Sequence, residues 1–129
     1  MSTYYRKTKG EGFNLVLRFL LELTALFTYG YWAWHRFASW KGILLAIVLP
    51  LAGAIIWGVF AVPNDPSRSG KTVIPTSGLI RLCIEICFFA FATFALYMLE
   101  LTTLAYVFAA FVICHYVFSY KRIGWLLKQ

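Results

Sequence analysis

The stretch LVLRFLLELT, residues 15–24, places two charged side chains, Arg18 and Glu22, among leucines. It lies inside an apolar segment that is long enough to cross a bilayer as a helix. A charged side chain at the centre of a bilayer costs about 2.5–3.5 kcal/mol on insertion scales. Charges in such segments face a partner, a cavity or a substrate, so this pair predicts a specific polar contact inside the fold.

The overall composition is that of a membrane protein. Of the 129 residues, 61% are hydrophobic and 13% are charged, whereas soluble domains have about 45–50% apolar and about 25% charged residues. The net charge of +7 does not indicate nucleic acid as a partner. The basic residues lie between apolar segments, where orientation in the membrane and attraction to anionic lipid account for them.

Four apolar segments predict an all-α integral membrane protein with four transmembrane helices. They span about residues 13–34, 42–62, 78–99 and 101–120, and residues 1–129 form a single four-helix transmembrane domain. A helix of about 20 residues covers about 30 Å of hydrocarbon. The one long connection, PNDPSRSGKTVIPTS at 63–77, is rich in turn-forming residues and predicts a polar loop. The tail KRIGWLLKQ, residues 121–129, is typical of a short membrane-surface segment.

The distribution of Lys and Arg predicts the orientation of the chain. With four spans, one side of the membrane holds Arg6, Lys7, Lys9, Arg68, Lys71, Lys121, Arg122 and Lys128, and the other side holds Arg36 and Lys41. Because cytoplasmic segments carry the excess of basic residues, both termini and the long loop are expected in the cytoplasm. The prediction is a multi-pass protein of the inner (plasma) membrane.

The charged pair occurs twice. The third segment contains LIRLCIEIC at 79–87, in which Arg81 and Glu85 match Arg18 and Glu22 at the same offset. Both copies start from the same side of the membrane, so the four helices are expected to form a parallel tandem repeat of two helical hairpins. The pseudo-twofold axis would bring the first and third helices together. Arg18 is then expected near Glu85, or Arg81 near Glu22.

Two functions are compatible with this cluster, whose charges sum to zero and can satisfy one another. The leading interpretation is a structural or interaction protein of the membrane, in which the buried Arg/Glu cluster fixes the helix packing. Its partners are the lipid bilayer and either a second copy or another membrane protein. The alternative is a small transporter or channel-like protein that binds a polar solute or a proton at the same four residues.

His115, in the fourth segment, adds a weaker alternative, a haem- or chlorophyll-bearing membrane subunit. The simpler interpretation is a histidine hydrogen-bonded to a neighbouring helix close to the charge cluster. The sequence shows no nucleophile–base arrangement, no metal-spaced ligand set and no glycine-rich nucleotide loop. Enzyme activity, a metal site and a resident cofactor are therefore not expected. The three cysteines lie inside apolar segments and are expected to be packing residues.

The chain resembles the YrdB-like family of small four-helix bacterial membrane proteins over nearly its whole length. The resemblance rests on LRFLLEL at 17–23, GYWAW at 30–34, LPLAGAIIWGVFAVP at 49–63 and LIRLCIEICFFAFATFALY at 79–97. It is weakest in the fourth segment, which contains His115. The family has no assigned biochemical activity, so the resemblance implies an integral membrane protein of four spans and implies no reaction.

Overall fold

A computed structural model describes residues 9–68 and 71–129 of the chain. Within these ranges the protein consists of five α-helices and one short pair of β-strands. The elements are α1 (Lys9–Arg36), α2 (Ser39–Val59), β1 (Phe60–Ala61), β2 (Ile74–Pro75), α3 (Gly78–Met98), α4 (Thr102–Phe118) and α5 (Tyr120–Leu127). The predicted all-helical architecture is confirmed. Arg6 and Lys7, which contributed to the predicted orientation, and the side chain of Lys9 lie outside the described residues.

Three of the described helices are long and apolar enough to cross a membrane, namely α1 (from Gly10), α2 and α3. Helices α4 and α5 meet that criterion only as a pair, and they are bent by 68° at Ser119. By length and composition, the described residues therefore hold three candidate spans, or four if the bent pair counts as one. The helical part of the fourth predicted segment is α4, and the predicted surface segment in the tail is largely α5.

The second segment ends earlier than predicted. Helix α2 stops at Val59 instead of Val62, and Phe60 and Ala61 pair in parallel with Ile74 and Pro75. The physical reason is that pairing with the loop holds Phe60 and Ala61 in an extended conformation, while Pro63 has no N–H group to donate to the carbonyl of Val59 and continue the helix. The carbonyl of Ala61 instead accepts a hydrogen bond from Thr76 N at 2.8 Å, which ties the start of the loop to its end.

The core lies between α1, α3 and α4. Ala25, Phe89 and Ala92 are each at most 1% exposed and pack with Phe108 of α4. Helix α2 lies on the outside against α1, and Gly42 is its one buried residue. Residues with little or no side chain line the contact between α1 and α2, since a Cβ added to Gly30 would lie 2.9 Å from the carbonyl oxygen of Ala46.

Residues 60–68 and 71–77 lie with α5 at the end of the molecule where α3 begins, and we call this the loop end. Helix α5 approaches the start of α3 so closely that a Cβ added at Gly78 would collide with the backbone carbonyl of Leu126. The side chain of Leu126 is fully buried where α5 packs against α3. The absence of a side chain at Gly78 thus allows α5 to dock against α3.

Candidate functional site: a buried charge cluster

Glu85 is the centre of a cluster of charged side chains at the loop end. It lies one helical turn after Arg81 on α3, and it is 0% exposed. Its two oxygens accept hydrogen bonds from Arg18 (3.3 Å), Arg81 (2.9 Å), Arg122 (2.9 and 2.7 Å) and the hydroxyl of Tyr116 (2.9 Å). These donors come from α1, α3, α5 and α4, so one carboxylate connects four helices.

Arg122 joins Glu85 to the loop. Its Nε and Nη2 donate to the two oxygens of Asp65 at 3.0 and 2.7 Å, while Nη1 and Nη2 reach Glu85. Asp65 also accepts hydrogen bonds from the backbone N and the hydroxyl of Ser67, at 2.9 and 2.8 Å. A planar guanidinium can serve two carboxylates in this way because its five N–H donors point along fixed directions.

Arg81 donates hydrogen bonds to free backbone carbonyls at the end of α2. Its Nη1 donates to the carbonyl oxygens of Trp57 and Phe60, at 2.6 Å each. The last carbonyls of a helix have no partner within the helix, and they carry the negative end of its dipole. A buried cation at this point therefore stabilises the helix end and attaches α2 to α3.

Arg18 lies between Glu22 and the loop. Its Nε is 3.3 Å from Glu22 one turn later on α1, and its Nη1 donates to the hydroxyl of Ser67 at 2.5 Å. The indole of Trp57 packs against two guanidiniums of the cluster, those of Arg18 and Arg81, whose Cζ atoms lie 4.9 and 4.6 Å from the ring centroid. Such cation–π contacts strengthen when both groups are removed from water.

His115 sits beside the cluster and bonds to the first helix. Asn14 donates through Nδ2 to the hydroxyl of Ser119 at 2.6 Å, and its Oδ1 lies 2.9 Å from Nδ1 of His115. Because the amide oxygen can only accept, Nδ1 carries a proton. The other ring nitrogen, Nε2, is buried without a hydrogen-bond partner among residues 9–68 and 71–129. The simpler interpretation of His115, a hydrogen bond to a neighbouring helix, describes this geometry.

The structure brings together most of the residues singled out from the sequence. The expected contact between Arg18 and Glu85 is present at 3.3 Å. Arg81 contacts Glu85 on its own helix, and Glu22 stays at the edge of the cluster with Arg18. His115 lies beside the cluster, since it lines a pocket together with Arg18 and Arg122, and its hydrogen bond is to Asn14 outside the cluster.

Two charged members of the cluster, Asp65 and Arg122, were missed from the sequence, as was Tyr116, whose hydroxyl donates to Glu85. From the sequence, Arg122 was expected only to contribute to the orientation of the chain, whereas in the structure it is 5% exposed and bonded to two carboxylates. The four predicted charges already balanced, so nothing in the sequence called for further partners. In the structure Arg122 and Leu126 lie one helical turn apart on the buried face of α5, and only their burial shows that this face is turned inward.

The complete charge cluster consists of Arg18, Glu22, Asp65, Arg81, Glu85 and Arg122, and its formal charges cancel. In the loop, burial alone would raise the pKa of Asp65, but the hydrogen bonds and charge of Arg122, together with Ser67, hold that pKa below its usual range. Among the residues that the structure describes, no three or more His, Cys, Asp and Glu side chains are grouped as ligands for a metal.

Apolar helices of membrane-spanning length, joined at one end by a neutral group of buried charges, indicate a small helical membrane protein. The chain belongs to the family described as proteins of unknown function DUF2568, whose model matches residues 16–113. It is 50% identical over 116 residues to the uncharacterized protein YrdB of Bacillus subtilis (strain 168), covering 90% of this chain and 94% of that protein. The resemblance stated from the sequence is confirmed. No solved structure gives a significant match.

Proposed function

We propose that the protein is a small structural or interaction protein of the cell membrane, without enzymatic activity, in which the charge cluster fixes the packing of the helices. The observation that carries this proposal is the environment of Glu85. Its carboxylate is fully buried and accepts hydrogen bonds from three arginines and a tyrosine on four helices. Moving any one of these helices relative to α3 would break at least one hydrogen bond to Glu85.

The energetic argument concerns specificity more than stability. Removing charges from water is costly, and their mutual attraction offsets this cost only when the geometry is good and the remaining hydrogen bonds are made. A register shift of one helix would separate Arg18 or Arg122 from Glu85 and leave buried charges without partners. The cluster therefore disfavours alternative packings, which a bilayer does not itself penalise because lipid tails are as apolar as leucine.

The proposed arrangement in the membrane has four spans, with α1–α2 and α3–α4 as the two hairpins of a parallel tandem repeat. The matching Arg18 and Arg81 on α1 and α3, and the packing of these helices against each other, support it. Helix α5 lies at the membrane surface, and the termini and loop face the cytoplasm. Large apolar side chains remain exposed on α2, including Ile43, Ile47 and Leu51. We propose that they contact lipid, a second copy of the chain or another membrane protein.

A single substitution tests the role of the cluster. Glu85→Gln keeps the shape of the side chain but removes the negative charge that three arginines share. Breaking a buried pair costs about 3–5 kcal/mol, so we expect a clearly lower Tm for the variant purified in detergent. Glu100→Gln is the matched control, because Glu100 is exposed in the connection between α3 and α4. If both variants melt at the parental temperature, the cluster does not fix the packing.

A further inference from the structure

A cleft of about 370 Å³ lies next to the charge cluster, and its polar wall is mostly basic. The polar side chains that line it are Arg18, Glu22, Ser67, Arg68 and Arg81. Its apolar wall includes Leu15 and Phe19 of α1, and Phe19 is 57% exposed. The cleft is therefore bounded by guanidinium groups on one side and by an apolar helix surface on the other.

Arg68 differs from the other arginines of the cleft. Arg18 and Arg81 are paired with carboxylates of the charge cluster, whereas no ion pair of Arg68 is found among the described residues. Its Nη2 donates to the carbonyl of Gly58 at 3.2 Å, while its Nη1 is shielded from solvent and makes no hydrogen bond within residues 9–68 and 71–129. A shielded N–H of a charged group is unfavourable until it finds an acceptor.

The charges around the cleft also favour an anion. Among the side chains that line the cleft, three are arginines and one is a glutamate, so the lining carries an excess of positive charge. Glu22, the one carboxylate in the lining, is held by Arg18 at 3.3 Å. Guanidinium groups bind phosphate through parallel N–H···O bonds, and basic pockets between membrane helices are suited to anionic lipid head groups.

We propose that this cleft binds a phosphate group, whose oxygen accepts the hydrogen bond that Nη1 of Arg68 lacks within the described chain. The chemistry is shared by the phosphodiester of an anionic lipid and by free inorganic phosphate, and the cleft has room for either. A lipid would extend its acyl chains along Phe19. The proposal does not depend on the structural role of the charge cluster, because Arg68 makes none of the contacts of Glu85.

Binding measurements on purified protein in detergent test this site. Native mass spectrometry measures the dissociation constants of phosphatidylglycerol and of phosphatidylcholine. Calorimetry measures that of inorganic phosphate against chloride at equal ionic strength. The variant is Arg68→Gln, and the matched control is Lys71→Gln, which removes the same charge from an exposed position in the same loop. Arg68→Lys tests whether the charge alone suffices.

We expect Arg68→Gln to weaken binding about tenfold or more, as the loss of one charge-assisted hydrogen bond predicts. Lys71→Gln should bind like the parent, and Arg68→Lys should lie between. Binding of phosphatidylglycerol alone assigns the site to a lipid, and binding of inorganic phosphate assigns it to a free anion. No binding of either probe, or equal weakening by Arg68→Gln and Lys71→Gln, overturns the proposal. These outcomes are independent of the Tm of Glu85→Gln.

Discussion

At the scale of single residues, Arg122 shows how one side chain can determine where two others lie. It bonds to both oxygens of Asp65 in the loop and to both oxygens of Glu85 on α3. A lysine could not replace it, because an ammonium group lacks the planar array of donors that matches two carboxylates. The two carboxylates in turn hold Arg122 in the protein interior, where its side chain is buried.

Asp65 should make the stability of the protein sensitive to acid. Burial raises its pKa, but the bonds and charge of Arg122 outweigh that effect, and the folded-state pKa lies below the ordinary value of 3.8. A carboxylate with a lowered pKa contributes stability above its unfolded pKa and loses this contribution as the pH falls through the folded value. Asp65→Asn should therefore reduce the Tm at about pH 7 and have a smaller effect at about pH 3.

The measurement is thermal unfolding in detergent across this pH range, with Glu100→Gln as the control for removing a carboxylate. The control should follow the parental curve, since Glu100 is exposed. Curves for the parent and Asp65→Asn that stay parallel from neutral to acidic pH would contradict the assignment.

At the scale of elements, α5 is too short to be stable by itself, and tertiary contacts hold it in place. A helix of eight residues is marginal in water, so packing must stabilise it. Arg122 and Leu126 face inward, and the carbonyl of Leu126 meets the backbone of Gly78. The docking of α5 thus depends on one ion pair network and one close backbone approach.

Gly78→Ala should displace α5, because the new methyl group would overlap the backbone carbonyl of Leu126 and a backbone atom cannot rotate away. We expect faster hydrogen exchange at residues 120–127 and a lower Tm, since Arg122 moves with the helix. Gly124→Ala is the matched control, because a Cβ at Gly124 meets nothing within 4 Å. Alanine favours a helix by about 1 kcal/mol over glycine, so the control should be neutral or slightly stabilising. Equal exchange in both variants would contradict this account of the docking.

At the scale of the whole molecule, polar and apolar contacts are separated along the helix axes. The charge cluster and the loop occupy one end, while alanine and phenylalanine side chains fill the contacts of α1, α3 and α4 farther along. This asymmetry matches the proposed orientation, in which the loop end faces the cytoplasm. Arg and Lys stay on that side because moving them across the membrane is unfavourable.

Cysteine labelling tests the orientation. In a variant with Cys83, Cys87 and Cys114 replaced by alanine, new cysteines are placed at Val73 in the loop or at Thr103 at the start of α4, both exposed. A membrane-impermeant maleimide added to intact cells should modify the cysteine at Thr103 and leave the one at Val73 unmodified. After cell lysis both should react. Labelling of Val73 in intact cells would reverse the proposed topology.

The sequence by itself determined the helices and one contact between them. The lengths of the apolar segments are local properties, and they located α1, α3 and α4 with small errors at their ends. The repeated Arg and Glu then led to the expected contact of Arg18 with Glu85, which the structure contains at 3.3 Å. The end of α2 was missed by three residues because tertiary pairing with the loop competes there with helix formation.

Only the tertiary structure decided which residues complete the cluster. Asp65 and Arg122 are far apart in the sequence. Asp65 is in a polar loop and Arg122 is in the tail, and in both places a solvent-exposed charge is the ordinary expectation. Their contact exists because α5 folds back against Gly78, and no local pattern encodes that return. The same folding positions Arg68 at the edge of the cleft with an N–H that faces no acceptor in the described chain. Long-range docking thus determined the polar contacts, because a charge becomes costly to leave unpaired only after other elements have removed it from water.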